Sequence, residues 1–110
     1  MTIALLSVEC YLPMSQSLKD KRMVLRRIKD RLGAQNVAIA EVAHQDLWQR
    51  AGLGIVTVAT DDTGAQKVLA SALDEIDRLE PGLVTAHQIE YLRREQTRRK
   101  RLVPTKYVTH

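Results

Sequence analysis

The sequence predicts a single α+β domain, in which two helices cover one face of an antiparallel sheet, followed by a basic C-terminal tail. Three observations indicate this. Four segments have the apolar patterns of strands, and two have the three- and four-residue spacing of amphipathic helices. Their order is strand, helix, strand, strand, helix, strand. A chain of 110 residues that is 45% hydrophobic is long enough for one core and short for two.

The first strand and the first helix occupy the N-terminal third of the chain. Residues 3–12 alternate, and one side of the strand is apolar throughout: Ala4, Leu6, Val8, Cys10 and Leu12. Pro13 ends the strand, and Ser15 or Ser17 can cap the helix, which is expected to end at Gly33. The apolar stripe of this helix consists of Leu18, Leu25, Ile28 and Leu32, with Val24 at its margin.

The remaining elements complete the pattern. In the second strand, residues 37–43, Val42 is on the opposite face from Val37 and Ile39, which a bulge or an exposed edge explains. Residues 53–60 are apolar on both sides, as in a central strand. The second helix is capped by Asp61 or Asp62 and stops at Pro81-Gly82. Its buried stripe consists of Ala65, Val68 or Leu69, Ala72, Ile76 and Leu79. Residues 84–92 form the last strand, so the order βαββαβ predicts a ferredoxin-like fold.

The charge of the chain is concentrated at its C-terminus. The domain is expected to span residues 1–92, and residues 93–110 are expected to form a flexible tail. In this tail seven basic residues face only Glu95, which gives +6, so with +4 overall the domain itself carries −2. Basic termini of this kind often serve as interaction arms, although a solubilising extension has the same composition.

The compartment is inferred from cysteine content and hydropathy. Cys10 is the only cysteine, so no intrachain disulfide can form, and a reducing compartment is expected. No apolar run approaches the roughly 20 residues that span a bilayer. The sequence therefore predicts a cytoplasmic protein that does not contact membranes.

The start of the first helix is one candidate binding surface. Ser17, Lys19, Lys21 and Arg22 surround unpaired backbone N–H groups at the positive end of the helix dipole, which attracts phosphates and carboxylates. An ordinary N-cap with a solvated basic face is the alternative. Lys21 falls inside the apolar stripe, where a free charge is costly, so we expect Asp46 or a bound anion to meet it.

The connection between the second and third strands is a second candidate. It contains His44, Gln45, Asp46, Trp48 and Arg50, and loops on rigid scaffolds commonly carry binding residues. Trp48, the only tryptophan, is either a lid over the end of the core or a stacking platform. His44 and Asp46 can act as metal ligands or as a base, but two residues complete neither site.

Charge distribution points to a polyanionic partner. Arg26 continues the basic side of the first helix, whereas the second helix is acidic near its end; either the basic side contacts phosphates or the two helices pair with each other. In the tail the candidate RNA contacts are Arg93, Arg94, Arg98, Arg99, Lys100 and Arg101.

The open face of the sheet and the absence of catalytic motifs limit the alternatives. Tyr11 and Tyr91 are its only candidate aromatics, and Ile3 and Leu5 beside them favour a homodimer interface over base stacking. No phosphate-binding glycine loop, nucleophile elbow, CxxC pair or HExxH helix is present. We therefore expect no catalysis, no cofactor and no metal.

Two sequence blocks resemble a known family. The first block consists of Leu12-Pro13 and residues 17–22 (SLKDKR). The second consists of residues 37–50 and includes Glu41-Val42 and the run HQDLWQR. Both blocks are similar to the YlxP-like family of small bacterial proteins of unknown function. The resemblance covers roughly residues 1–92 and implies a ferredoxin-like fold. Members are often encoded beside translation-initiation and ribosome-maturation genes, which implies a link to the ribosome or its RNA.

Together these observations predict a non-catalytic RNA- or ribosome-associated binding protein that assists translation or ribosome maturation. The alternative is a homo-oligomeric regulatory domain that pairs through the open sheet face and binds a small anion at the start of the first helix. A small hydrolase that uses His44 and Asp46 is a third hypothesis, for which the sequence provides no complete catalytic set.

Overall fold

The computed structural model of the protein describes residues 1–93. Six elements follow one another in the predicted order: β1 (Thr2–Tyr11), α1 (Leu18–Leu32), β2 (Ala38–Ala43), β3 (Arg50–Ala59), α2 (Asp62–Leu79) and β4 (Val84–Arg93). The strands form one antiparallel sheet in the order β2-β3-β1-β4. This is the ferredoxin-like α+β fold, so the predicted fold class is confirmed.

The core between the sheet and the helices is aliphatic. β1 lies between β3 and β4, and its alternate side chains from Ala4 to Cys10 are buried as predicted. The helices contribute Leu25, Ile28 and Leu32 from α1 and Ala65, Leu69, Ala72 and Ile76 from α2. Leu18, predicted to be in the stripe, is 36% exposed instead. Neither described helix is long and apolar enough to cross a bilayer.

The edge strand β2 contains the irregularity that its sequence pattern indicates. Within residues 1–93 it pairs only with β3, and the register shifts between Glu41 and Ala43, so among these residues it has both an unpaired edge and a bulge. A Cβ atom at Gly52 would lie 2.7 Å from the Cβ of Ala43, so glycine allows the two strands to approach at the bulge. β3 begins at Arg50, three residues before the predicted Leu53, because Arg50 and Ala51 also pair with β1.

The end of β4 differs from the predicted start of the tail. Arg93 is the last residue of this strand; its guanidinium lies 5.2 Å from the ring centre of Tyr91 and forms an ion pair with Asp62. The hydroxyl of Thr2 donates to the same carboxylate at 2.7 Å, and the hydrogen bonds from Thr2 and Arg93 lower the pKa of Asp62. Tyr91 packs against the core beside Ala4. The prediction that it lies on the open face is therefore wrong.

Part of the predicted tail lies outside the described residues. This applies to its expected flexibility and to five of its candidate RNA contacts: Arg94, Arg98, Arg99, Lys100 and Arg101.

Candidate functional site

A buried lysine joins α1 to the loop between β2 and β3, residues 44–49. Lys21 is 2% exposed, as its place in the apolar stripe predicts, and its ammonium lies 2.7 Å from Oε2 of Glu41. That oxygen is buried and has no other partner among the described residues. The partner is therefore Glu41 and not Asp46 or an anion, because the helix-facing side of β2 places this carboxylate beside the first turns of α1.

The same ammonium also holds the backbone of the loop. It donates to three carbonyl oxygens: those of His44 at 2.9 Å, Gln45 at 3.3 Å and Arg50 at 3.2 Å. A lysine ammonium has three N–H groups, so Lys21 has no donor left for a ligand. Its role in the site is to position the loop.

Further hydrogen bonds fix the loop to the segment that follows β1. The side-chain amide of Gln49 donates to the carbonyl oxygens of Pro13 at 3.1 Å and Ser15 at 3.2 Å, and the backbone carbonyl of Gln49 accepts from Leu12 at 2.8 Å. His44, with φ of 63°, adopts the left-handed conformation that starts the turn. These contacts hold the segment after β1 and the start of α1 against residues 44–50.

Trp48 lies on this anchored loop and is 53% exposed. It lines a recess of about 370 Å³ with Tyr11, which is 47% exposed, and with Asp46, Leu47, Gln49 and Arg50. About half of the residue is therefore open to solvent. Both predicted roles of Trp48, a lid over the end of the core and a stacking platform, stay predictions.

A carboxylate, an imidazole and a guanidinium meet on the open face beside this recess. Nε2 of His44 lies 3.1 Å from Oε1 of Glu9 and 3.3 Å from Nη2 of Arg50. The carboxylate beside His44 is thus Glu9, contributed by β1, and no hydrogen bond within residues 1–93 joins His44 to Asp46. The hydrolase hypothesis consequently lacks the His44–Asp46 contact on which it depends, and the described part of the chain has no group of three or more residues suited to a metal ion.

Apart from the buried Lys21, the basic residues of α1 divide into two sets. Arg27 forms an ion pair at 2.5 Å with Glu80, at the end of α2. Arg31 forms one at 3.4 Å with Glu75, about one turn earlier in the same helix. The other set is exposed, forms no ion pair within the described residues and recurs at three- and four-residue spacing: Lys19, Arg22, Arg26 and Lys29. We call this set the basic stripe. The predicted pairing of the two helices therefore holds for one side of α1. The other side forms no ion pair among residues 1–93, and its contact with phosphates stays a prediction.

The basic stripe lies beside the edge strand of the sheet. Arg22, Arg26 and Lys29 line a recess of about 320 Å³ together with Leu25, Asp30 and Glu41. The stripe extends over eleven residues, from Lys19 to Lys29, so its two ends lie about 15 Å apart along the helix.

The N-terminus of α1 is capped by its own side chains. The hydroxyl of Ser17 accepts from the backbone N–H of Asp20 at 3.0 Å, and the carboxylate of Asp20 accepts from the N–H of Gln16 at 2.9 Å. A carboxylate in the first turn already compensates the helix dipole, which disfavours a second anion there. Ser17 therefore serves as the cap in the structure.

The structure brings most of the predicted residues to one end of the sheet. His44, Gln45, Asp46, Trp48 and Arg50 share the loop region, and Lys21 connects it to the flanking Lys19 and Arg22; Arg93 lies with Asp62 at the start of α2.

Glu9 and Glu41 belong to the site, although neither is predicted there from the sequence. Both are carboxylates inside otherwise apolar strands, and Glu41 shares the helix-facing side of β2 with Ile39. That placement in an alternating pattern was the available signal.

Comparisons with known proteins agree with the fold and the resemblance. The DUF503 family model, described as a protein of unknown function, matches residues 3–89. The uncharacterized protein YlxP of Bacillus subtilis (strain 168) is 41% identical over 70 residues, which cover 63% of this chain and 76% of that protein. The de novo designed protein Foldit4 aligns with a TM-score of 0.51 at 10% identity, over 86% of this chain and 98% of that chain. This last likeness shows the fold alone.

Proposed function

Since the chain belongs to the DUF503 family of YlxP-like proteins, a family of unknown function, we propose a function from the surface of the protein itself. The protein binds RNA without catalysis, in association with the ribosome, and assists translation or ribosome maturation. The observation that supports this is the basic stripe of α1, whose cations are exposed and free of ion pairs within the described residues.

The spacing of the stripe suits a phosphate backbone. One strand of a duplex carries a phosphate about every 3.4 Å along its axis, so a stripe of about 15 Å can meet roughly four phosphates. Arg27 and Arg31 on the same helix are already engaged by α2, which directs the polyanion to one side of the helix. The contact supplies affinity without reading the base sequence.

The tail and the compartment complete the proposal. Residues 94–110 contain six basic residues and one acidic residue, so they add positive charge whose contacts are independent of the stripe. The protein acts in the cytoplasm, where its single cysteine stays reduced.

Salt-dependent binding tests the proposal. The full-length protein is titrated into a short fluorescein-labelled single-stranded RNA, and anisotropy is read at several salt concentrations. Each phosphate contact contributes about −0.7 to the slope of log K against log salt. The variant Arg22→Gln/Arg26→Gln is expected to reduce the magnitude of that slope by about 1.4, because it removes two of these contacts.

The matched control is Arg27→Gln/Arg31→Gln. It removes the same charge from the same helix, but from cations that α2 already neutralises, so the slope should stay near that of the wild type. Absence of binding at low salt, or an equal loss in both double variants, would refute the assignment to the stripe. Co-sedimentation with ribosomal subunits at low and high salt then tests the ribosome link.

A second candidate, a homo-oligomeric regulatory domain, is favoured by the open sheet face. Leu5 and Val58 are exposed on this face, Val58 to 50%, and Leu5 lies beside Gly54. Three strands of ten residues and one of six present roughly 570 Å². This area is somewhat below the roughly 800 Å² that each partner buries in a standard interface, so a second copy of the chain would have to use most of the face. The anion that this hypothesis places at the start of α1 is not favoured, because Asp20 occupies the first turn.

Light scattering on Val58→Lys tests the second candidate. A dimer through the open face should become monomeric, whereas Met23→Lys, which changes a residue 60% exposed on α1, should leave the mass unchanged. A wild-type monomer at high concentration would exclude this interface.

A further inference from the structure

The only tryptophan of the chain is exposed at a cost in stability. Trp48 is 53% exposed, although a tryptophan can bury up to about 250 Å². Leaving half of that area in water forgoes about 3 kcal/mol of burial. Exposure of this size on a surface residue points to a binding role, particularly where the ring belongs to a cluster.

The loop that carries Trp48 is held rigid around the ring. Lys21 donates to carbonyl oxygens on both sides of it, at Gln45 and Arg50, and Gln49 is fixed by its side chain and its backbone. A buried ammonium that is paired with Glu41 of β2 and donates to the backbone at both ends of an exposed loop fixes the position of that loop. A ligand that stacks on Trp48 therefore pays little to order its site.

The recess combines aromatic faces with groups that can hydrogen-bond to a flat ring. Trp48 and Tyr11 supply the aromatic surface, Arg50 supplies guanidinium donors, and Asp46 supplies acceptors. The recess of about 370 Å³ falls within the size range of small-ligand sites. This is the chemistry by which proteins bind an unpaired base: stacking on an aromatic side chain with hydrogen bonds to its edge.

The positive charge of the basic stripe, near the Trp48 loop, favours a flat ligand that is attached to phosphates. The residue whose ammonium holds the loop, Lys21, is flanked on α1 by Lys19 and Arg22 of the basic stripe. A nucleic-acid strand whose phosphates follow the basic stripe thus passes the end of the β-sheet where Trp48 lies. We propose that the Trp48 recess binds an unpaired nucleobase of a single-stranded nucleic acid, stacked on the indole; this inference rests on the proposed RNA binding and adds a base-contacting site to it.

Fluorescence of Trp48 tests the inference directly, because no other tryptophan contributes to the signal. The full-length protein is titrated with a single-stranded RNA and with an abasic oligonucleotide of the same phosphate number, while binding is followed by anisotropy of a label on each. Both are expected to bind, and only the base-containing strand should quench Trp48. Stacking of one base is worth about 1–3 kcal/mol, so Trp48→Ala should weaken RNA binding roughly 5- to 150-fold and leave abasic binding unchanged.

Two further variants separate this site from the stripe. Trp48→Tyr keeps an aromatic face and should restore most of the affinity that Trp48→Ala loses. Arg22→Gln/Arg26→Gln should lower the salt slope but preserve the quenching per bound strand. Far-UV circular dichroism is expected to show that all variants fold, since the three side chains are exposed.

The failures are distinguishable. If both oligonucleotides bind equally and neither quenches Trp48, the nucleobase site is refuted while the phosphate contact stands. If neither oligonucleotide binds at low salt, the proposed function fails and the inference fails with it. Fluorescence that changes with protein concentration in the absence of oligonucleotide would assign the recess to self-association and would also overturn the inference.

Discussion

Replacing Lys21 by methionine removes the side chain that joins α1, β2 and the loop of residues 44–49. The change keeps most of the buried volume but leaves the carboxylate of Glu41, which is 18% exposed, without its cation, and three backbone carbonyls lose a donor. Removing one partner of a buried ion pair costs 3–5 kcal/mol, and the partial exposure of Glu41 places this case near about 3 kcal/mol.

A double-mutant cycle isolates the ion pair from the other contacts of the ammonium. Glu41→Gln leaves Lys21 bonded to the loop carbonyls and should cost about 2 kcal/mol, near the value of a charged hydrogen bond. In Lys21→Met/Glu41→Gln no unpaired charge remains, so the double variant should cost about 3 kcal/mol and not the sum of about 5, which is a coupling of about 2 kcal/mol. The exposed Lys19→Met is the control and should change stability by less than about 0.5 kcal/mol.

Urea unfolding measures these differences. Far-UV circular dichroism reports the whole domain, and Trp48 fluorescence reports the loop. In Lys21→Met the fluorescence transition should precede the dichroism transition, because the loop has lost its central donor. A cost below about 1 kcal/mol for Lys21→Met, or strictly additive costs in the double variant, would refute the reasoning.

Three further outcomes follow from burial, pKa values and close packing. Burial raises the pKa of the Cys10 thiol to about 12, and the nearby carboxylates of Glu9 and Glu41 contribute to a lesser extent. The reagent dithiobis(nitrobenzoate) should therefore label Cys10 slowly in the folded protein and rapidly in urea. Since the unfolded thiol ionises near 9.0, the stability measured by urea titration should decline as pH rises from there toward about 12. The hydroxyl of Thr2 lowers the pKa of Asp62, so stability from this carboxylate is present above its ordinary value of 3.8 and is lost as pH falls through the lower folded value; Asp62→Asn should flatten the acid limb of the thermal-denaturation profile. Gly52→Ala should destabilise the domain by about 1–3 kcal/mol in urea, because the new methyl meets the Cβ of Ala43, whereas Gly82→Asn, at a turn with φ of 81° and open space, should cost little.

The elements of the fold were predictable because their signals are local. Alternation in β1 and three- and four-residue spacing in both helices depend only on neighbouring residues, and these elements match the structure to within a few positions. The start of β3 was missed because Ala51 and Gly52 have poor strand propensity, which their pairing with β1 overrides. Tyr91 was assigned to the wrong face because its side depends on the register of β4 against β1.

The candidate site was predictable in part. The spacing of Lys21 within an apolar stripe was enough to identify a buried cation, and composition was enough to identify a polar loop around Trp48. Helical spacing alone also aligns Lys19 with Arg22. It does not show which basic residues of α1 have partners, since that depends on what packs beside each side of the helix.

By itself, the sequence determined the order of the elements, the residues of the core and the presence of a charge where apolar residues belong. Tertiary structure decided the partners: Glu41 for Lys21, Glu9 for His44, and the end of α2 for Arg27 and Arg31, which leaves the basic stripe free of ion pairs within residues 1–93. The physical reason is range. Periodicity is a property of residues a few positions apart, whereas an ion pair forms between atoms less than about 4 Å apart that the register of the sheet and the packing of the helices bring together from distant parts of the chain.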